Sequence, residues 1–298
     1  MRVAFWGTDG VFSHAALSGL LAADVRVHAV FIYDRAAHPV APAPPPAASD
    51  DDIPLLTSFV QRTTTTLAWQ RAIPVWRVGD VRHAATAQIL AAQQADVACV
   101  ACFPRLVPPS LLAVPRHGFL NMHPSLLPAY RGPAPLFWQL RDGVAKTGVT
   151  VHWMDASFDT GALAAQAPVT LPLTGGRPLK PTCSWPWPAQ RRWPGCSHSW
   201  RRGVVPRTPQ PAGGSYQPWP KAADFALDLE WTAQRAFNLM RGTAEWSMPY
   251  PLQMDGARWS LRKALRVEPA GTLGSPWRRE GELLHVQFNQ GVLTASVL

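Results

Sequence analysis

The chain has 298 residues, 47% of them hydrophobic, which is enough to bury one large core or two smaller ones and too apolar for a disordered segment or a fibre. Its net charge of +9 suggests a nucleic-acid partner, but residues 1–175 carry 12 basic and 11 acidic side chains, 206–298 carry 10 and 8, and 176–205 carry six basic and no acidic ones. The excess therefore sits in one stretch rather than on a binding face. No run approaches the ~18 apolar residues of a membrane span and the N-terminus enters directly into a strand pattern, so we expect a soluble, cytoplasmic monomer with no membrane partner.

In chain order, the apolar patterning predicts a strand over 2–6, a helix over 13–23, a second strand over 25–33, and a helix over 84–94 leading into a strand over 97–103. This alternation calls for an α/β fold, a mostly parallel sheet with helices on both faces. The run "HPVAPAPPPAASDDD" is proline-rich and then acidic, so it reads as a loop. Gly7-Thr8-Asp9-Gly10 after the first strand lacks the spacing of a dinucleotide site and reads as a tight turn. Cys99 and Cys102 form a CxxC inside an apolar run; with no second cysteine pair to complete a metal site, they read as core residues on opposite faces of a strand.

The residues that carry chemistry are in "GFLNMHPSLLPAYRGPAP", 118–135. Asn121 and His123, two apart on an extended chain, project to the same side at the end of a short strand over 119–122, and Pro124 and Pro128 stiffen the exit. An amide donor beside an imidazole suits stabilisation of an oxyanion, although the same pair reads equally as a hydrogen-bonded core histidine with a turn asparagine. Asp159 taken alone reads as an Asp-Thr-Gly turn.

"NMHPSLLPAYRGPAPLFW", followed by "TGVTVHWMDASFDTG" at 147–161, resembles the signature of the folate-dependent formyltransferases, nearest to the branch that acts on methionyl-tRNA. The resemblance implies a formyltransferase, Rossmann-like catalytic domain over 1–175 and a small C-terminal OB-like β-barrel domain over 206–298, the latter through "GGSYQPWPKAADFALDLEWTAQRAFNLMRG" and "DGARWSLRKALRVE". It places the family's catalytic residues on Asn121, His123 and Asp159 and its folate contacts on Ser125, Leu126, Leu127 and Pro128. It further implies 10-formyltetrahydrofolate as formyl donor, no metal, and initiator methionyl-tRNA as acceptor. An amino-sugar nucleotide as acceptor, or an inactive folate-binding relative, are the alternatives. In the implied mechanism Asn121 and His123, as imidazolium, hold the oxyanion while a buried Asp159 raises the His123 pKa. Arg258, Arg262, Lys263 and Arg266, crowding a predicted strand pair, are either a tRNA surface or a solvated basic face.

Three features depart from the family's pattern. The loop after the second strand is acidic (Asp50, Asp51, Asp52) where the tRNA-acting members are basic, and Pro104 stands in place of a folate-loop glycine. The third is "PTCSWPWPAQRRWPGCSHSWRRG" at 181–203, with four tryptophans, four prolines and four arginines, where the family has a leucine- and alanine-rich helix. In a GC-rich gene CTG-GCC-CTG-GCC encodes Leu-Ala-Leu-Ala and, read one base late, gives Trp-Pro-Trp-Pro. We therefore read 176–205 as an aberrant linker, a locally frameshifted helix that should form no regular amphipathic helix. A stacking Trp-Arg nucleic-acid platform is the alternative reading of this stretch.

Overall fold

The computed structural model describes residues 1–45, 62–170 and 205–298, and the stretch read as frameshifted lies outside the described residues, as does the acidic run 50–52. The described chain forms two compact units. The first holds residues 1–131, 148–169 and 205–215, so 206–215, which the sequence reading gives to the C-terminal domain, pack with the first unit.

An eight-stranded sheet dominates this unit, in the order β3-β4-β2-β1-β5-β6-β7-β8. Its strands are β1 (Arg2–Gly7), β2 (Arg26–Tyr33), β3 (Val40–Pro42), β4 (Val75–Val78), β5 (Val97–Ala101), β6 (Phe119–His123), β7 (Lys146–Trp153) and β8 (Leu163–Thr170). β4, β2, β1, β5 and β6 run parallel, whereas β3 and β7 pair antiparallel to β4 and β6. The helices are α1 (Val11–Ala22), α2 (Thr64–Gln70), α3 (Ala84–Ala92) and α4 (Pro109–Leu112). Pleat alternation sends Ala4, Trp6, Ala29, Phe31, Ala98, Val100 and Phe119 into one core layer with Leu90 of α3 and Leu111 of α4. α1 contacts β2 and β5, and α2 contacts α1, β2 and β4. The predicted parallel sheet with helices on both faces is present.

Two local predictions need correction. The proline-rich loop contains strand β3, because Val40–Pro42 lie at the sheet edge, where a proline costs no interior ladder bond. The predicted strand 97–103 ends at Ala101, and Cys102 turns out with φ +57° and is exposed while Cys99 is buried. The two thiols therefore do not share a strand.

The second unit contains residues 132–147 and 216–298. It holds α5 (Pro135–Arg141), α6 (Ala233–Gly242) and a five-stranded antiparallel sheet ordered β11-β12-β13-β10-β9. These strands are β9 (Tyr250–Met254), β10 (Ala257–Glu268), β11 (Trp277–Glu280), β12 (Leu283–Gln287) and β13 (Val292–Val297), consistent with a small barrel-like domain. Arg258, Arg262, Lys263 and Arg266 do not span a strand pair. All four are exposed on the single strand β10, whose register against β13 shifts twice, between Leu261 and Lys263 and between Ala264 and Arg266. No described helix is long and apolar enough to cross a membrane.

Candidate functional site

The carboxyl ends of β1, β5 and β6 lie in register, Gly7 beside Ala101 and Ala101 beside Met122. Open α/β sheets place ligands at this edge. The Gly7–Gly10 turn here is tied down internally: Ser13 Oγ accepts from Thr8 N at 3.0 Å, and Asp9 accepts from Thr65 N at 2.9 Å and Arg77 Nη1 at 2.8 Å. Burial pushes the Asp9 carboxyl up, but its bonds from Thr65 and Arg77 outweigh that and hold it below the ordinary carboxylate value.

β6 pairs parallel with β5 on one side and antiparallel with β7 on the other, which sets Asn121 opposite His152 and His123 opposite Thr150. The chain after β7 folds back on itself, closed by Trp153 N donating to the Ala162 carbonyl at 2.8 Å, and carries Asp159 at φ +56°. Within this returning loop, Asp155 accepts from Ser157 N and from Thr160 Oγ1. Gly161 packs so closely on the Trp153 carbonyl that a Cβ there would overlap it.

Asn121, His123, His152 and Asp159 meet as a result. Asn121 Nδ2 lies 3.3 Å from Asp159 Oδ1 and 3.2 Å from His152 Nε2. His123 Nδ1 is 3.5 Å and His152 Nε2 3.3 Å from the two Asp159 oxygens. His152 Nδ1 lies 2.9 Å from the Trp153 carbonyl, which can only accept, so Nδ1 carries the proton. Nε2 then faces both the Asn121 amide nitrogen and Asp159 Oδ1. His123 Nε2, 2.8 Å from the Tyr130 carbonyl, donates by the same logic. In the neutral ring this leaves the lone pair of Nδ1 facing a carboxylate, a repulsion that a proton on Nδ1 would turn into attraction.

Burial pushes the His123 pKa down, Asp159 and the Tyr130 carbonyl push it up, His152 pushes it down again, and the net position is below the ordinary imidazole value. Asp159 thus acts in the direction the sequence reading gives it, but desolvation of a side chain only 5% exposed outweighs it. That direction favours the neutral ring at rest, where the sequence reading has an imidazolium in the reaction.

The Ser125–Pro128 segment is largely used by the fold itself. Ser125 Oγ donates to the Ala129 carbonyl at 2.7 Å. Buried Thr150 Oγ1 donates to Ser125 O at 2.7 Å and accepts from Leu127 N at 3.1 Å and Gln166 Nε2 at 2.9 Å. Ser125 and Leu127 are buried, while Leu126 and Pro128 keep partial exposure.

Sequence reasoning missed His152, Thr150, Gln210 and Arg131. The alternation in "TGVTVHW" puts Thr150 and His152 on one side of a strand, but only the register with β6 brings them to Asn121 and His123. Gln210 Nε2 lies 2.8 Å from the carbonyls of both Asp159 and Gly161, and its Oε1 accepts from Arg131 Nη2 at 2.7 Å. No local pattern marks it.

The sequence profile of the formyl transferase family matches residues 1–173. The chain belongs to that family. Methionyl-tRNA formyltransferase of Pelotomaculum thermopropionicum is 31% identical over 187 residues, 58% of this chain and 55% of the relative. The protein of that name from Synechococcus sp. (strain JA-3-3Ab) is 36% identical over 186 residues, 60% and 56% of the two chains. The match thus spans a little over half the length of these curated relatives. Among solved structures, an N-formyltransferase from Helicobacter canadensis, in complex with folinic acid and dTDP-3-aminofucose, has a TM-score of 0.60 at 15% identity and covers 100% of this chain and 99% of its own. HypX from Aquifex aeolicus has a TM-score of 0.59 at 15% identity, covering 99% of this chain and 45% of its own. At these identities the shared property is the fold.

Proposed function

We propose that the chain transfers a formyl group from 10-formyltetrahydrofolate to the amino group of methionyl-tRNA. The observation that carries this is the convergence of Asn121, His123 and Asp159 in a family member whose curated relatives bear the methionyl-tRNA name. An amide donor, a buried neutral imidazole and a carboxylate suit passage of a formyl group to an amine. Half-buried Phe103, packed edge-on against Trp6 at 5.3 Å, and half-buried Leu126 and Pro128 offer aromatic and aliphatic surface for a pteridine, and we assign the donor to them.

When bound, the donor supplies an electrophilic formyl carbon on a nitrogen able to leave. The acceptor amine attacks that carbon, the bond to the donor nitrogen breaks, and the amine proton passes to the departing nitrogen. We assign oxyanion stabilisation to Asn121, whose amide can exchange its long 3.3 Å bond to Asp159 for the developing charge. Nε2 of His123 is committed to Tyr130, so Nδ1, on the Asp159 side, is the nitrogen that takes up the amine proton, and Asp159 steadies the resulting imidazolium.

An amino-sugar nucleotide is the second reading, favoured by the acidic run Asp50–Asp52, which would repel a tRNA backbone. The test is formyl transfer from 10-formyltetrahydrofolate to charged initiator tRNA and, in parallel, to a panel of amino-sugar nucleotides at rising salt. Salt-sensitive transfer to tRNA supports the first reading, and salt-independent transfer to a sugar alone selects the second. Transfer to neither, with the folate still bound, would point to an inactive relative. His123→Ala should lower turnover by roughly 10²-fold or more.

A further inference from the structure

On the second unit, three aromatic rings stack outward from the core. Phe137 of α5 is buried, half-buried Trp246 lies over it at 5.5 Å and 22°, and Trp219 lies over Trp246 at 5.4 Å and 10°. Trp219 is nevertheless 60% exposed. One face of the indole lies against Trp246, and among the described residues no second ring stacks on the other.

The stack is held rigidly. Phe137 is wedged between Trp138, edge-on at 5.2 Å, and buried Phe225 at 4.9 Å. Trp138 Nε1 donates to the carbonyl of Pro218, directly before Trp219, at 2.9 Å, and prolines on both sides of Trp219 restrict its backbone. A lone surface tryptophan needs no explanation. A ring fixed in a near-parallel column, with no second ring over its outer plane among the described residues and the exposed Lys221 two residues on, is the arrangement of a base-stacking platform: an aromatic plane for a base and a cation for the flanking phosphate.

We propose that Trp219 stacks on an unpaired base of the tRNA acceptor strand, with Lys221 beside the adjoining phosphate; this rests on the methionyl-tRNA reading. A planar base continues the column that Phe137 and Trp246 begin, and the pre-set ring loses little freedom on binding.

The test uses the full chain and initiator tRNA carrying 2-aminopurine as its 3′-terminal base, with binding followed by quenching of that fluorophore. The expected result is quenching by the wild-type protein, a roughly tenfold weaker affinity with little quenching in Trp219→Ala, and near-recovery in Trp219→Phe. In formylation assays the Trp219→Ala loss should fall on KM for the tRNA rather than on kcat. Unchanged quenching and affinity in Trp219→Ala, or failure of Trp219→Phe to restore them in a protein of unaltered melting temperature, overturns the platform. Absence of tRNA binding by the wild type also overturns it. Formyl transfer to an amino sugar by the same preparation then reports separately that the acceptor reading has failed, and tRNA transfer that is insensitive to Trp219 leaves that reading standing without the platform.

Discussion

Asn121 and His152 face each other across β6 and β7, with the amide nitrogen of one 3.2 Å from Nε2 of the other. With His152 Nδ1 donating to the Trp153 carbonyl, the lone pair of Nε2 in the uncharged tautomer is open to the NH2 end of the Asn121 amide, and Asp159 Oδ1 lies 3.3 Å from the same Nε2. His152 and Asp159, both facing the same amide nitrogen, together set which way the amide points. His152→Phe leaves the amide nitrogen with its longer 3.3 Å bond to Asp159 and should lower kcat by roughly 10-fold through looser positioning of the oxyanion donor, while His152→Gln, which offers an acceptor oxygen, should retain more. Equal kcat values for the wild-type and phenylalanine proteins at saturating donor would remove His152 from this role.

A histidine held below its ordinary pKa is neutral in the fold, while in the unfolded chain it takes up a proton once the pH falls below about 6.5. The unfolded state then binds more protons, so stability is full above that pH and is lost as pH drops towards the folded value, at no more than ~1.4 kcal/mol per pH unit for one group. Melting temperatures between pH 7.5 and 5 should therefore fall less steeply in His123→Gln than in the wild type. His14, also held low by burial and by Arg62, contributes equally to both proteins. Asp159→Asn removes the charge that opposes burial at His123 and should steepen the wild-type fall. Parallel melting curves for the wild type and His123→Gln would contradict the assignment.

Thr150 is buried and its single hydroxyl joins Ser125, Leu127 and Gln166. Thr150→Val keeps the shape and deletes all three bonds, so urea denaturation should show a loss of about 2–3 kcal/mol from buried groups left unpaired. A change below ~0.5 kcal/mol, the size of an ordinary surface substitution, would mean the segment repacks without it.

Gly161 is a more selective target because its neighbour is a backbone carbonyl that cannot rotate away. Gly161→Ala must push the returning loop off Trp153 and carry Asp159 with it. Displacing a positioned group by about 1 Å can cost ~10²-fold in rate, so kcat should fall by that order. Wild-type turnover in this variant would show that the loop can shift without moving Asp159.

The parts of the molecule legible in the sequence are those set by neighbours along the chain. Alternation in "FLNMH" places Asn121 and His123 on one side of a strand, and the apolar runs around Val3, Val30 and Val100 mark the parallel sheet. What escaped depends on distant pairing. His152 becomes part of the site only through the antiparallel register of β6 and β7. The end of β5 at Ala101 depends on the left-handed turn at Cys102, which no periodicity announces. α2 opens on three threonines, poor helix formers, and owes its start to the reciprocal bonds of its N-cap Thr63 with Thr66. The protonation of His123 is set by its burial, a property of the whole domain.

The clasp on the Asp159 loop bears on how the gene can change. Gln210 holds the carbonyls of Asp159 and Gly161, Ser215 Oγ accepts from Tyr130 N at 2.8 Å, and Pro206 O accepts from Trp153 Nε1 at 2.7 Å. Every residue in the clasp is encoded downstream of 181–203, whereas every residue it steadies is encoded upstream. A reading-frame slip in that interval is therefore compatible with the candidate site only if the original frame returns before codon 206, and codons 206–215 should tolerate far fewer substitutions than the interval preceding them. Deep mutational scanning of 176–215 under selection for formyl transfer would show that step in tolerance at the frame-return point.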